Sequence, residues 1–240
     1  MIKVISLSKK FNSQWVIRNL NLNIKKGEFY CLLGPNGAGK TTTLKILSGL
    51  IKPTQGKVYL GGFDVEREYL QAKKLLGFIP DTPFLYENLT PWEFLEFIAN
   101  IFGIEKNTFQ KEVNYYLELF NLKEVKDTLL KEFSHGMKQR VLYIANFIRH
   151  PKVLLIDEPL VGLDPHAIYL IKDLLKKETQ QGTTILMCTH ILSIAEELSH
   201  RIGILDKGEI IVQGTLDELK RRMGDTNLEE IFLKLTETGE

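Results

Sequence analysis

Two cysteines in 240 residues, Cys31 and Cys188, are too few for a disulfide framework. Each lies inside an apolar run, which suits reduced, buried thiols in a cytoplasmic protein. An excess of charge of one sign is also missing. Thirty-one Lys and Arg stand against 30 Asp and Glu, a net charge of +1. That excludes the global basic field that concentrates nucleic acid, so no nucleic-acid partner is expected. No window approaches the roughly 18 uninterrupted apolar residues that a membrane-spanning helix requires. The start, Met1-Ile2-Lys3-Val4, alternates and lacks the apolar core of a signal peptide. Work at a membrane would therefore need a partner that holds the chain there. Internal repeats, low-complexity segments and long linkers are absent as well. What remains is an ordinary globular composition, 44% hydrophobic and 25% charged. The length allows one large α/β domain or two small ones.

The first stretch reads as sheet, with Leu20, Leu22 and Ile24 alternating against Asn19, Asn21 and Asn23. After a turn at Lys25-Lys26-Gly27-Glu28, the apolar run Phe29-Tyr30-Cys31-Leu32-Leu33 suits a buried strand. A glycine-rich loop leads to a helix expected over 42–48 and closed by Gly49. Another β excursion is expected over 53–62. Thr90-Pro91-Trp92-Glu93 is a capping box with proline at the first helical position. Further helices are expected over 109–120 and 137–148, so residues 85–148 read as a helical subdomain inserted into an α/β core. The core resumes with a strand at 153–156, a helix over 165–180 and a strand over 183–188. A hairpin over 201–214 turns at Asp206-Lys207-Gly208. Thr215-Leu216-Asp217-Glu218 and Asn227-Leu228-Glu229-Glu230 both have capping-box spacing and open C-terminal helices in 215–240.

Gly34-Pro35-Asn36-Gly37-Ala38-Gly39-Lys40-Thr41 fits GxxxxGK[ST] between an expected strand and an expected helix. Glycines let successive N–H groups approach phosphate oxygens with no Cβ in the way. The helix that follows, carrying Thr42 in its first turn, adds the positive end of its dipole. Lys40 would neutralise the β and γ phosphates of ATP, and the Thr41 hydroxyl would hold Mg2+. Asp157 and Glu158 end an apolar strand, at the edge where open parallel sheets bind ligands. Asp157 suits the magnesium shell, and Glu158 suits a general base for the attacking water. The simpler reading is a strand end and nothing more. His190 follows the strand Leu186-Met187-Cys188-Thr189, and a lone histidine is ordinarily structural. Its place at the same sheet edge favours a hydrogen bond to the γ-phosphate or the water.

The stretch Phe133-Ser134-His135-Gly136-Met137-Lys138-Gln139-Arg140 resembles the signature motif of the ATP-binding cassette family. Gly162-Leu163-Asp164 resembles its D-loop, and His190 its switch histidine. Phe11 falls where that family places an aromatic that stacks on adenine, although simple sheet core is the blander reading. The resemblance implies a P-loop NTPase core with a mainly parallel sheet, an N-terminal antiparallel β subdomain and an inserted α-helical subdomain. It further implies a dimer, packed head to tail, with ATP between one chain's phosphate loop and the other's signature loop. Ser134, His135 and Gly136 would meet the nucleotide in trans, and Asp164 would reach toward the opposite site. Ser134 and Gly136 also suit a helix cap and turn, and the two roles coexist. Two residues depart from the family pattern. Asp81 stands where glutamine is usual, and a carboxylate there would approach the metal. His135 stands where glycine is commonest.

The tail Asn227 to Thr236 and the stretch Tyr86-Glu87-Asn88-Leu89-Thr90 resemble bacterial exporters of drugs, antibiotics, sodium or polysaccharides. The implied role is an ATP-hydrolysing motor subunit, cytoplasmic and held on the inner face of the cell membrane by a separate permease. A soluble family ATPase serving cofactor assembly is the alternative. A nucleic-acid repair ATPase fits poorly, because only about 115 residues separate Lys40 from Asp157, with no heptad-rich insert. The expected layout is a core with its β subdomain at about 1–84 and 149–214, the helical subdomain at 85–148, and C-terminal helices at 215–240.

Overall fold

The computed structural model describes residues 1–160, 162–224 and 227–236. The alternating N-terminal pattern folds into a four-stranded antiparallel sheet. It comprises β1 (Ile2–Phe11), β2 (Gln14–Ile24), β4 (Gln55–Leu60) and the short β5 (Phe63–Asp64), in the order β2-β1-β4-β5. Leu20, Leu22 and Ile24 are buried and the residues between them exposed, as the period of two requires.

The second sheet has six strands: β3 (Phe29–Leu33), β6 (Leu76–Ile79), β7 (Val153–Asp157), β8 (Thr184–Thr189), β9 (Arg201–Asp206) and β10 (Glu209–Gly214). Their order is β10-β9-β3-β8-β7-β6, parallel except for β10, which closes the predicted hairpin with β9. Every residue of β3, β7 and β8 is buried. These strands show no alternation in the sequence because both of their faces are covered. On one face, Leu32, Leu155 and Leu186 pack with α1 (Lys40–Leu47) and the antiparallel sheet. On the other, Phe29, Leu154 and Met187 share a core with Leu95, Phe109, Val113 and Tyr143. Those four belong to α3 (Pro91–Phe102), α4 (Lys106–Leu119) and α5 (His135–Phe147), which occupy the range expected to be helical. Cys31 belongs to this second cluster and Cys188 to the first, so the sheet separates the two free thiols.

The remaining helices are α2 (Tyr69–Leu75), α6 (Pro165–Gln180), α7 (Leu192–Leu198), α8 (Leu216–Met223) and α9 (Leu228–Thr236). Both predicted threonine capping boxes form, at Thr90 with Glu93 and at Thr215 with Glu218. At Asn227 the side chain accepts from the Glu230 amide at 2.8 Å. Three helix starts differ from the sequence expectation. α1 begins at Lys40 rather than 42, because left-handed Gly39 is its cap. α5 begins at His135 rather than 137, because Ser134 is the cap and accepts from the Met137 amide. α4 begins at Lys106 rather than 109, its first apolar residue. The sequence showed neither α2 nor α7.

Candidate nucleotide-binding site

Four neighbouring parallel strands bring the candidate chemistry to one edge. β3 runs into Gly34, β8 ends before His190, β7 ends at Asp157 before Glu158, and β6 ends two residues before Asp81. The pairs Leu33↔Thr189, Asp157↔Cys188 and Ile79↔Ile156 set these ends side by side. They meet at a cleft of about 300 Å³, lined by Asn36, Gly37, Gly39, Lys40, Thr41 and Thr42 together with Val16, Asp81 and Glu158. A wider groove of about 990 Å³ lies elsewhere, beside Lys3, Lys26 and Arg201. Size does not mark the site; converging groups do.

The loop geometry requires its glycines. A Cβ on Gly34 would stand 2.4 Å from the Leu205 carbonyl oxygen. Gly39 has φ +108, and a Cβ there would come within 2.9 Å of the Val16 oxygen. With the chain so turned, the first-turn amides of α1 have no intrahelical acceptor and are free to meet an anion. Lys40 is buried and donates to the Gly34 and Pro35 carbonyls at 2.7 and 3.1 Å. Its ammonium also lies 3.9 Å from Glu158 Oε1.

Asp157 is only 2% exposed, and burial pushes its carboxyl above the ordinary range. A hydrogen bond from the Thr41 side chain and the charge of Lys40 oppose that shift, while Glu158 and Asp81 reinforce it. Asp157 Oδ1 is buried without a hydrogen-bond partner. A buried carboxylate oxygen left unpaired, on a group bonded to the Thr41 hydroxyl, offers the oxygen donors that suit a hard divalent cation. Magnesium fits here.

Glu158 has φ +45, a rare conformation for a residue with a side chain. Its amide donates to the Cys188 carbonyl at 2.9 Å, and the following Pro159 carbonyl accepts from the buried Tyr143 hydroxyl at 3.2 Å. Oε1 lies 3.0 Å from His190 Nδ1, and Oε2 accepts from the Thr189 hydroxyl at 3.0 Å. The His190 side chain is 53% exposed. The expected grouping of Lys40, Thr41, Asp157, Glu158 and His190 is therefore found in one place, with Asp81 among the cleft's walls.

Other expected residues lie elsewhere. Phe11 ends β1, 44% exposed, with the Lys9 ammonium 4.7 Å above its ring. It is not sheet core, and it does not line the cleft; Val16 does. Ser134, His135, Gly136 and Asp164 do not line the cleft of their own chain either. Ser134 and His135 are exposed at the start of α5. A Cβ built on Gly162 would meet the His135 ring at 3.2 Å, so that ring rests on the loop before α6. Asp164 caps α6 through the Ala167 amide at 3.0 Å and pairs with Arg140. Two participants were given no role by the sequence reading, Val16 and Thr189, and the pairing of Arg140 with Asp164 was not foreseen. For Thr189 a signal existed, a hydroxyl closing an otherwise apolar strand beside His190.

Comparison with known proteins agrees with this geometry. The family model for the ABC transporter matches residues 17–161. The chain is 35% identical over 232 residues, 97% of itself and 96% of its relative, to the lantibiotic transport ATP-binding protein SrtF of Streptococcus pyogenes. A solved ATP-binding subunit of an ABC transporter superposes with a TM-score of 0.94 at 33% identity, covering 98% of this chain and 99% of that one. A dimeric ATP-binding cassette in a post-hydrolysis state, bound to ADP and Pi, has a TM-score of 0.82 at 29% identity, covering 90% and 99%. A phosphate loop, a buried acid pair and a histidine on one sheet edge, in a chain matched along nearly its whole length, make it a member of the ABC transporter family and one of its ATP-binding, ATP-hydrolysing subunits.

Proposed function

We propose that two copies of this chain close on ATP and magnesium and thereby drive a separate membrane permease, in the direction of export. The observation that carries this reading is the convergence of Lys40, Asp157, Glu158 and His190 at one sheet edge. Glycine-loop amides and Lys40 hold the triphosphate, and the exposed Phe11 ring, outside the cleft's own lining, stacks on the base. Thr41, Asp157 and Asp81 would hold a magnesium ion, which would supply positive charge to offset that of the phosphates. Glu158 takes the proton of the attacking water through Oε1, and His190 steadies that oxygen and the phosphate. Ser134, His135 and Gly136 complete the neighbouring copy's site from the start of α5, where the helix dipole favours an anion. Asp164 faces the same interface.

Among the described residues no helix is long and apolar enough to cross a membrane. Attachment at the inner face of the membrane thus falls to the permease. An apolar groove of about 450 Å³ runs beside the Asp81 segment, between Leu50, Phe84, Phe97, Ile101 and Leu142. Phe84 is 83% exposed there. Its occupant on this reading is a short amphipathic helix from the permease's cytoplasmic loops, docked by its apolar face. Likeness to a lantibiotic transport protein and the short α9 tail support a transporter of the drug-export kind over a soluble cofactor-assembly ATPase.

The test is Glu158→Gln. ATP turnover should fall by about 10²-fold or more, the scale of a lost general base. The variant should accumulate an ATP-bound dimer on size exclusion. A variant that hydrolyses ATP at the parental rate would overturn the assignment of the base.

A further inference from the structure

Glu158 is held at both carboxylate oxygens. Oε1 faces His190 Nδ1 at 3.0 Å and the Lys40 ammonium at 3.9 Å. Oε2 is met on the other side by the Thr189 hydroxyl at 3.0 Å. Thr189 is 1% exposed, and its oxygen accepts from the Ile191 amide at 3.1 Å. That N–H occupies a lone pair, so the single hydroxyl proton is left to point at Oε2. The backbone beneath Glu158 is tied to β8 and α5 through the Cys188 and Tyr143 bonds. A fixed backbone still leaves a glutamate three side-chain torsions, each with its own wells. The contact that decides among them on the inner side is Thr189.

We infer that Thr189 is a positioning residue for hydrolysis: it holds Glu158 Oε2 so that Oε1 alone is presented to the attacking water. The inference rests on Glu158 being the base. In the step itself, the water oxygen bonds to the γ-phosphorus and the bond to the bridging oxygen of ADP breaks. The water proton passes to Oε1, giving ADP and phosphate. Thr189 keeps its own proton throughout and touches no reacting atom. The competing account is that a β-branched residue simply fills the end of β8. Valine would fill it equally well, having the same shape without the donor.

Thr189→Val and Thr189→Ser separate the two accounts, each measured for kcat and KM with ATP and magnesium alongside Glu158→Gln. Misplacing a catalytic group by a fraction of an ångström to an ångström costs up to about 10²-fold. Thr189→Val should therefore lower kcat about 10- to 100-fold while KM for ATP stays within about twofold. Thr189→Ser should keep kcat within about threefold of the parent. Adding Thr189→Val to Glu158→Gln should slow turnover no further, because the two act through one group. Thr189→Ala replaces the valine variant in the same comparison if melting shows that valine does not fold. Full activity in Thr189→Val beside a dead Glu158→Gln overturns the inference and leaves the base in place. An equal loss in the valine and serine variants overturns it too, by showing that packing is what matters. An active Glu158→Gln removes the base itself.

Discussion

Asp157 is the residue whose environment is most at odds with its chemistry. It is buried, one oxygen is unpaired, and two other carboxylates stand near. Its raised pKa means that the folded chain holds this proton more tightly than the unfolded chain does. The stability it contributes is full below the ordinary carboxylate pKa and is lost as pH rises through the folded value. Above that folded value the ionised form is thus a burden on the nucleotide-free protein. Asp157→Asn should raise the melting temperature of the nucleotide-free chain at pH 7 by a few degrees. The same change should abolish magnesium-dependent hydrolysis and the thermal shift that ATP with magnesium gives the parent. A variant that melts no higher than the parent would contradict this account of the burial. Asp81 belongs to the same cluster, and Asp81→Ala should weaken the magnesium dependence of turnover. An unchanged magnesium titration would remove it from the metal's neighbourhood. At this scale the loop glycines were legible in the sequence, because clearance for phosphate is a local demand. The pairings of Thr189, Val16 and Arg140 were not, because their partners arrive from other elements: Glu158, Gly39 and Asp164.

Elements with a complete local signal were read well. Proline at the first helical position and a reciprocal threonine–glutamate pair mark α3, and both bonds of that box form, at 2.8 and 3.2 Å. Thr90→Ala should cost about 1 kcal/mol in a denaturant titration. A loss near zero would mean that tertiary packing alone sets the start of α3. The central strands were legible as apolar runs, but their neighbours in the sheet were not, since order is a property of the whole topology. α2 and α7 were missed for a physical reason. Each is seven residues long, about two turns; α2 buries only Ala72, and α7 repeats its apolar period just once, through Ile194, Ala195 and Leu198. Gly203, in β9, shows the opposite situation, a demand imposed from a distance. A Cβ there would lie 2.1 Å from the Tyr30 hydroxyl on β3. Gly203→Ala should therefore destabilise by about 1–3 kcal/mol, the usual range for overpacking. Calorimetry showing an unshifted transition would count against so tight a contact.

Two apolar clusters, one on each face of the parallel sheet, organise the whole molecule. The helices of the inserted segment share one of them with the strands that carry the site. The groove beside Phe84 is therefore joined to the sheet edge through packed side chains rather than through a linker. Phe84→Asp puts a charge into that groove without touching the core, since Phe84 is itself exposed. On the proposed reading it should leave ATP binding intact and release the chain from membranes that carry a co-expressed permease. Retention on those membranes at the parental level would argue for a different attachment surface. The family and the α/β layering were visible from motifs and periodicity. The groove was not, because its residues come from positions between Ser48 and Arg149 and meet only in the folded chain.

The separation of Cys31 from Cys188 has an experimental use. Burial raises the pKa of both thiols, and neither reacts as a thiolate until its surroundings open. One reports on the helical side and the other on the side between the sheets. Pulse alkylation of the unmodified protein, followed by peptide mass spectrometry, would time the two halves independently. Nucleotide should slow both clocks if closing around ATP tightens the entire chain, and only one if it does not.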